Sequence, residues 1–283
     1  MSVRFSHVLN VIAEDARFAA NQLREFGEPD WLSPGRAFDL PFSEAALAAA
    51  RGIDADVNAV ACAGRRKTLL VADMDSTIIA CECLDELADQ AGLKPQIAAI
   101  TERAMRGEIE FAPALRERVA LLKGLPLAAL ERTWRERVRL NPGAKALVST
   151  MKKHGARTLL VSGGFTYFTT RVAAETGFDE DRANVLLDDG AALTGEMREP
   201  VLGREAKRVA LESEAARLGI DSADTLAVGD GANDLDMIRS AGLGVAYRAK
   251  PVVAEAARAR IDRGDLRSLL YLQGYRDDEI VDG

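Results

Sequence analysis

Three apolar runs in this chain each stop on a polar cluster, and that pattern constrains the fold more than any other feature. "LLVA" at 69–72 runs into Asp73 and Asp75, "TLLV" at 158–161 into Ser162-Gly163-Gly164, and "TLAV" at 225–228 into Gly229-Asp230-Gly231. Consecutive apolar residues without alternation are what a strand buried on both faces of a parallel sheet requires. Helical patterns follow them: "TYFTTRVAAETG", "EAKRVALESEAARLG" and "DLDMIRSAG". Strands alternating with helices predict a doubly wound, Rossmann-like α/β core with a parallel sheet. Ligands of such sheets sit beyond the carboxyl ends of the strands, so the three clusters are expected to converge on one crevice.

The rest of the chain divides by texture. Residues 1–65 read as a small N-terminal accessory α/β module. It has a strand in "SHVLNVIA", a helix in "EDARFAANQLREFG" ended by Gly27, a helix in "SEAALAAARG" with Ser43 as N-cap, and a strand in "DVNAVACAG". Between the helices, "EPDWLSPGRAFDLPF" reads as turn-rich chain without a clear strand pair. Residues 66–80 and 141–283 carry the α/β core, and 81–140 form a helical cap inserted into it. The insert reads "ECLDELADQAG", "KPQIAAITERAMRGE", "FAPALRERVALLKG" and "PLAALERTWRERV", with Gly92, Gly107 and Gly124 as breaks and Pro95 and Pro126 in first turns. In "VLLDDGAALTGEM", Asp189-Gly190 marks a hairpin.

Charge excludes some functions. The net charge is -7 over 283 residues, which argues against nucleic acid or an anionic membrane surface as partner. It also means that any phosphate site here needs local positive charge or a metal. No apolar run approaches the roughly 20 residues that span a bilayer, and no basic segment followed by a cleavable apolar core opens the sequence, so the cytoplasm is the expected compartment. Cys62, Cys81 and Cys83 form no CxxC pair, and the two histidines, His7 and His154, do not complete a soft-metal site; packed, inert thiols are expected.

At the crevice, Asp73, Asp75, Asp230 and Asp234 would crowd into a small volume. Carboxylates that close must protonate or share a cation, and an all-oxygen set favours a hard ion such as Mg²⁺. Ser162 and the glycine amides beside it suit a phosphate oxygen, and Lys207 in "GREAKRVALE" is a candidate point charge for the same group. Ser76 and Thr77 suit capping of the turn after the aspartates.

"DMDST", "VSGGF", a lysine ahead of "GDGAND", and "GDGANDLDM" together resemble the four motifs of the haloacid dehalogenase-like phosphohydrolases. The insert, through "ECLDELADQAG", "AMRGEIEF" and "LRERVALLKGLP", resembles the cap of the branch that acts on phosphoserine. The resemblance runs from about Lys67 to Tyr275. It implies Asp73 as nucleophile and Asp75 as general acid and base. Mg²⁺ would be held by Asp73, the backbone carbonyl of Asp75, and Asp230, with Asp234 in support. Ser162, Gly163 and Lys207 would meet the phosphate, Glu82 the substrate ammonium and Arg118 its carboxylate, while Met105 and Phe111 close over the substrate. Asn233 resembles a substrate contact, although an Asx-turn explains it equally from the residues alone. Glu82 as a first-turn acid, and Arg118 paired with Glu117 or Glu131, are the corresponding alternatives.

Relatives often carry an amino-acid-sensing, ferredoxin-like module at the N-terminus; the missing strand pair around Pro29 to Pro41 sets this chain apart from that pattern. A related phosphatase or phosphotransferase for another small phosphorylated metabolite fits the catalytic motifs equally, since they handle only phosphate. A non-enzymatic regulator would lack Asp73 or Asp75, and both are present. Oligomeric state is left open, a homodimer included.

Overall fold

The computed structural model describes residues 6–105 and 108–283, except for the Met105 side chain. The expected break at Gly107 and the expected lid contact of Met105 therefore lie outside the described residues and side chains.

The N-terminal 61 residues run β1 (His7–Ile12), α1 (Ala16–Gln22), β2 (Asp30–Ser33), β3 (Ala37–Pro41), α2 (Glu44–Ala50) and β4 (Asp56–Ala61). The strands pair antiparallel in the order β2-β3-β1-β4, the β-α-β-β-α-β arrangement called ferredoxin-like. The expectation of turn-rich chain at 29–41 is therefore wrong. Trp31 stands opposite Phe38 and Ser33 opposite Ala37, with a bulge between. Strands of four and five residues, interrupted by Pro34 and ended by Pro41, are too short to display alternation. The turn is closed by the Arg36 N–H on the Ser33 carbonyl, with Gly35 at a left-handed φ of 81°.

The core begins with β5 (Leu69–Ala72), all four residues buried. The insert then supplies α3 (Cys83–Gln90), α4 (Lys94–Met105), α5 (Phe111–Ala120) and α6 (Leu127–Arg137). Its two linkers lie side by side: Ile79 bridges Leu140, and the Asn141 amide donates to the carbonyls of Thr77 and Ile79. The chain continues through α7 (Ala144–Lys153), β6 (Arg157–Phe165), α8 (Thr166–Thr176) and β7 (Glu180–Asn184). Next come the hairpin β8 (Leu186–Asp188) and β9 (Leu193–Met197), then α9 (Arg204–Leu218) and β10 (Thr225–Gly229). It closes with α10 (Leu235–Ser240), β11 (Leu243–Tyr247), α11 (Pro251–Ala256), β12 (Ala259–Ile261) and α12 (Ser268–Leu272).

Six strands pair parallel in the order β12-β11-β10-β5-β6-β7. Buried side chains pack on both faces: Leu70, Leu160 and Val228 on one, Leu69, Val71, Leu159 and Ala227 on the other. This two-sided burial is what the unalternating apolar runs express. The β8–β9 hairpin belongs with the cap helices, because Gly124 donates to Leu193 and Leu127 to Ala191. Among the described residues no helix is long and apolar enough to cross a membrane.

The N-terminal sheet is fastened to the core at its β4 side. The Asn58 side chain accepts from the Arg260 N–H at 2.8 Å and donates to the Arg260 carbonyl at 3.0 Å, as a neighbouring strand would. The Asp56 carboxylate takes the backbone N–H groups of Asp262, Arg263 and Gly264. Arg65 bridges Asp39 and the carbonyls of Tyr271 and Leu272. Ile12, Leu32, Ala37 and Val60 pack into the main core across this seam.

Candidate active site

The carboxyl ends of β5, β6, β10 and β11 open on one cavity of about 270 Å³. Asp73, Asp75, Ser162, Gly163, Asp230 and Asn233 line its floor; Glu82, Phe111 and Arg118 reach it from the cap. Nine residues named from the sequence thus meet in one place.

The floor begins with the turn after β5. Asp73 accepts the Met74 N–H on Oδ1 at 2.8 Å, and Lys207 Nζ lies 2.6 Å from that same oxygen. Among the described residues nothing donates to Oδ2. Ser76, a non-glycine, takes a left-handed φ of 56°, at a cost of roughly 1–2 kcal/mol. The turn carries that strain because its Ser76 hydroxyl donates to Glu82 at 2.7 Å and its backbone N–H to Cys81. Ser76 therefore fastens Glu82 to the turn after β5 instead of capping that turn. Thr77 reaches Asp230 at 3.3 Å.

Lys207 is 2% exposed, beneath the cavity, with Nζ also 2.6 Å from Asp234, itself fully buried. Burial works against the ammonium, but Asp234 and Asp73 outweigh it and push its pKa up. Asp234 further accepts the Gly231 N–H. The oxygens of Asp73, Asp230 and Asp234 come within 4.8 Å of one another. Three carboxylates against one ammonium leave negative charge in a buried, all-oxygen donor set, which fits a hard divalent cation.

Burial, and then the charge of Asp234, raises the Asp73 carboxyl well above its ordinary range. Asp230 is pushed up to about 6 by burial, then Asp234 and Glu82. Asp75 is pushed up to about 7, by burial first and by Glu82 next, against the Cys83 N–H that it accepts at 3.0 Å. Its other oxygen lies 3.4 Å from the Ser162 hydroxyl. A Cβ on Gly164 would come within 2.9 Å of Asp75 Oδ2 and 3.1 Å of Ser162 Oγ and push both from their places.

The cap end differs. Arg118 is partly buried, which lowers its pKa against the pull of Asp85 and Glu82. Its side-chain hydrogen bond is to its own helix, at Ala114. Neither expected alternative pairing forms, since Glu117 pairs with Arg103 and Glu131 with Arg135. The Phe111 ring rests where a Cβ on Gly163 or Gly203 would stand 3.3 or 3.2 Å away. Of the cysteines, Cys83 is buried and Cys81 half-buried, but Cys62 is exposed, against the expectation of packing.

Sequence reasoning missed Asp85, Thr101 and Lys250, which also line the cavity. Lys250 follows the end of β11, and its strand-end position was the available signal.

The haloacid dehalogenase-like hydrolase family matches residues 70–239. A phosphoserine phosphatase of Polaromonas sp. is 51% identical over 209 residues, 72% of this chain and 89% of that protein. A HAD-family hydrolase of Salmonella enterica serovar Typhi superposes with a TM-score of 0.84 at 30% identity, over 94% of this chain and 97% of that one. A phosphoserine phosphatase solved as a phospho-aspartyl intermediate analogue gives 0.67 at 39% identity, over 73% of this chain and 98% of that one.

Proposed function

The chain belongs to the haloacid dehalogenase-like hydrolases, and we propose that it is a phosphatase releasing L-serine and phosphate from O-phospho-L-serine, the last step of serine biosynthesis. The observation that carries this reading is the single cavity that joins Asp73, Asp75 and Ser162 at one end to Glu82 and Arg118 at the other. Phosphoserine has a phosphate, an ammonium and a carboxylate on three carbons, and the cavity offers a partner for each. The relatives of that name support it.

In the proposed reaction Asp73 Oδ2 attacks phosphorus and the bond to the serine oxygen breaks. Asp75, able to hold a proton near neutrality, gives it to the departing oxygen. Asp75 then takes a proton from water as that water attacks the aspartyl-phosphate, releasing phosphate and restoring Asp73. Lys207, Ser162 and the Gly163 backbone hold the phosphoryl oxygens, and Asn233 flanks them. Asp73, the Asp75 carbonyl and Asp230 would hold Mg²⁺, with Asp234 bracing the set. When bound, the ion supplies positive charge to the phosphoryl group. The cap, residues 81–140, would close over the substrate through Phe111 and Met105, on a core of 66–80 and 141–283, with 1–65 as an accessory module. The substrate is a soluble metabolite, and we take the cytoplasm as the compartment.

Phosphate release across a panel of phosphorylated metabolites tests the reading. Phosphoserine should be the best substrate, and Asp73→Asn should abolish both turnover and the acid-trapped phosphoenzyme. A sugar phosphate turned over as well as phosphoserine would overturn the substrate assignment. A phosphoenzyme persisting in Asp73→Asn would overturn the nucleophile.

A further inference from the structure

Five acids face the cavity: Asp73, Asp75, Glu82, Asp85 and Asp230. A phosphate dianion entering it meets like charge, and neither of the two cations already discussed stands at its open floor. Lys207 is held between Asp73 and Asp234, and Arg118 stands at the cap end in the field of Asp85 and Glu82. Lys250 differs from both. It lines the same cavity, is exposed, and among the described residues its ammonium makes no hydrogen bond or ion pair.

The backbone around Lys250 is shaped to hold it there. After β11, Arg248 takes a left-handed φ of 45°, an arrangement that a non-glycine keeps only where its surroundings enforce it. The Arg248 N–H is fixed on the Ile261 carbonyl at 2.7 Å. The chain then turns back so that the Lys250 N–H reaches the Asp230 carbonyl at 3.1 Å, and Pro251 opens α11. Lys250 is thereby tied to the residue whose carboxylate joins the acidic cluster.

We propose that Lys250 is a substrate-positioning residue: its ammonium draws the phosphate dianion into the acidic cavity and seats it beside Asp230. It acts on the part common to every phosphomonoester, whereas Arg118 acts on the part peculiar to one. The inference rests on the phosphatase reading of the cavity.

The test compares wild type, Lys250→Ala and Lys250→Arg on phosphoserine and on a small aryl phosphate, from low to high ionic strength. Mg²⁺ binding to the substrate-free protein is measured beside it by calorimetry. Lys250→Ala should lower kcat/KM on both substrates together, by about ten-fold or more at low salt, with the loss shrinking as salt rises. Lys250→Arg should retain most of the activity, and Mg²⁺ should bind the alanine variant as tightly as wild type or more so. Unchanged kcat/KM on the aryl phosphate would overturn the proposal. So would a salt-independent loss with weakened Mg²⁺ binding, since that marks a loop that has lost its shape. A wild type inert on both substrates would instead defeat the phosphatase reading itself.

Discussion

The two ends of the cavity are built in opposite ways. At the end formed by the core strands the side chains are already satisfied by one another: Lys207 lies between Asp73 and Asp234, and all three are under 5% exposed. At the cap end Glu82 and Asp85 are exposed, and Arg118 has no ion pair among the described residues. Groups that must stabilise developing charge work best when they need not reorganise, which a buried, mutually bonded cluster ensures. Groups that choose a substrate need free valences for it. On the proposed reading, chemistry is fixed in the core and selection is left open in the cap.

Removing the keystone of the satisfied end should produce the largest effect. Lys207→Met would leave Asp73 and Asp234 buried without their cation. We expect kcat to fall about 10²–10³-fold, as when one stabilising donor is lost. The metal-free protein should also melt lower, because breaking a buried pair costs about 3–5 kcal/mol. Thermal unfolding with and without Mg²⁺ checks this, and the ion should recover part of the loss. An unchanged melting temperature without metal would mean that the cluster is not preassembled.

The open end should respond selectively. Arg118→Ala is expected to lower kcat/KM for phosphoserine by about ten- to a hundred-fold, the range for a lost charge-assisted contact. An aryl phosphate without a carboxylate should lose much less. Equal losses would make Arg118 a cap-folding residue and erase the contrast between the ends.

The smallest effect joins the two ends through Glu82. Its charge is the second cause, after burial, of the raised Asp75 pKa of about 7. Asp75 carries its proton below that value, so its service as acid is lost as pH rises through it. Glu82→Gln removes one raising influence and should move the alkaline limb of single-turnover phosphorylation to lower pH. A limb that stays put would separate Glu82 from Asp75. The same shift makes the folded, metal-free protein the better proton binder. Its stability should be fullest below the ordinary carboxyl range and fall as pH rises through about 7.

The sequence was most readable where burial is two-sided. Uniform burial of Leu69–Ala72 and Thr225–Gly229 appears directly as apolar runs, and their ends located Asp73 and Asp230. The β2–β3 hairpin was lost because four- and five-residue strands show no period. The β8–β9 turn was visible in Asp189-Gly190, but its attachment to the cap depends on hydrogen bonds from Gly124 and Leu127 that no local pattern encodes. Lys207 was visible only as a candidate point charge on a helix; its burial comes from the packing of α9 against β6 and β10. The Ser76–Glu82 link needed a left-handed serine, which sequence favours only weakly.

The Asn58–Arg260 pairing reaches across 202 residues of chain. β12 is an end strand of the six-stranded sheet, and an open strand of that kind invites a second molecule to add to it. Asn58 occupies the N–H and C=O of Arg260 within it, and Asp56 takes the N–H groups just past its end, contacts that a foreign strand cannot displace without breaking the seam. During synthesis from the N-terminus, β4 is complete long before β12 leaves the ribosome. The last strand of the sheet thus emerges to a partner already waiting on its own chain, at the moment when its exposure to neighbouring chains would otherwise be greatest.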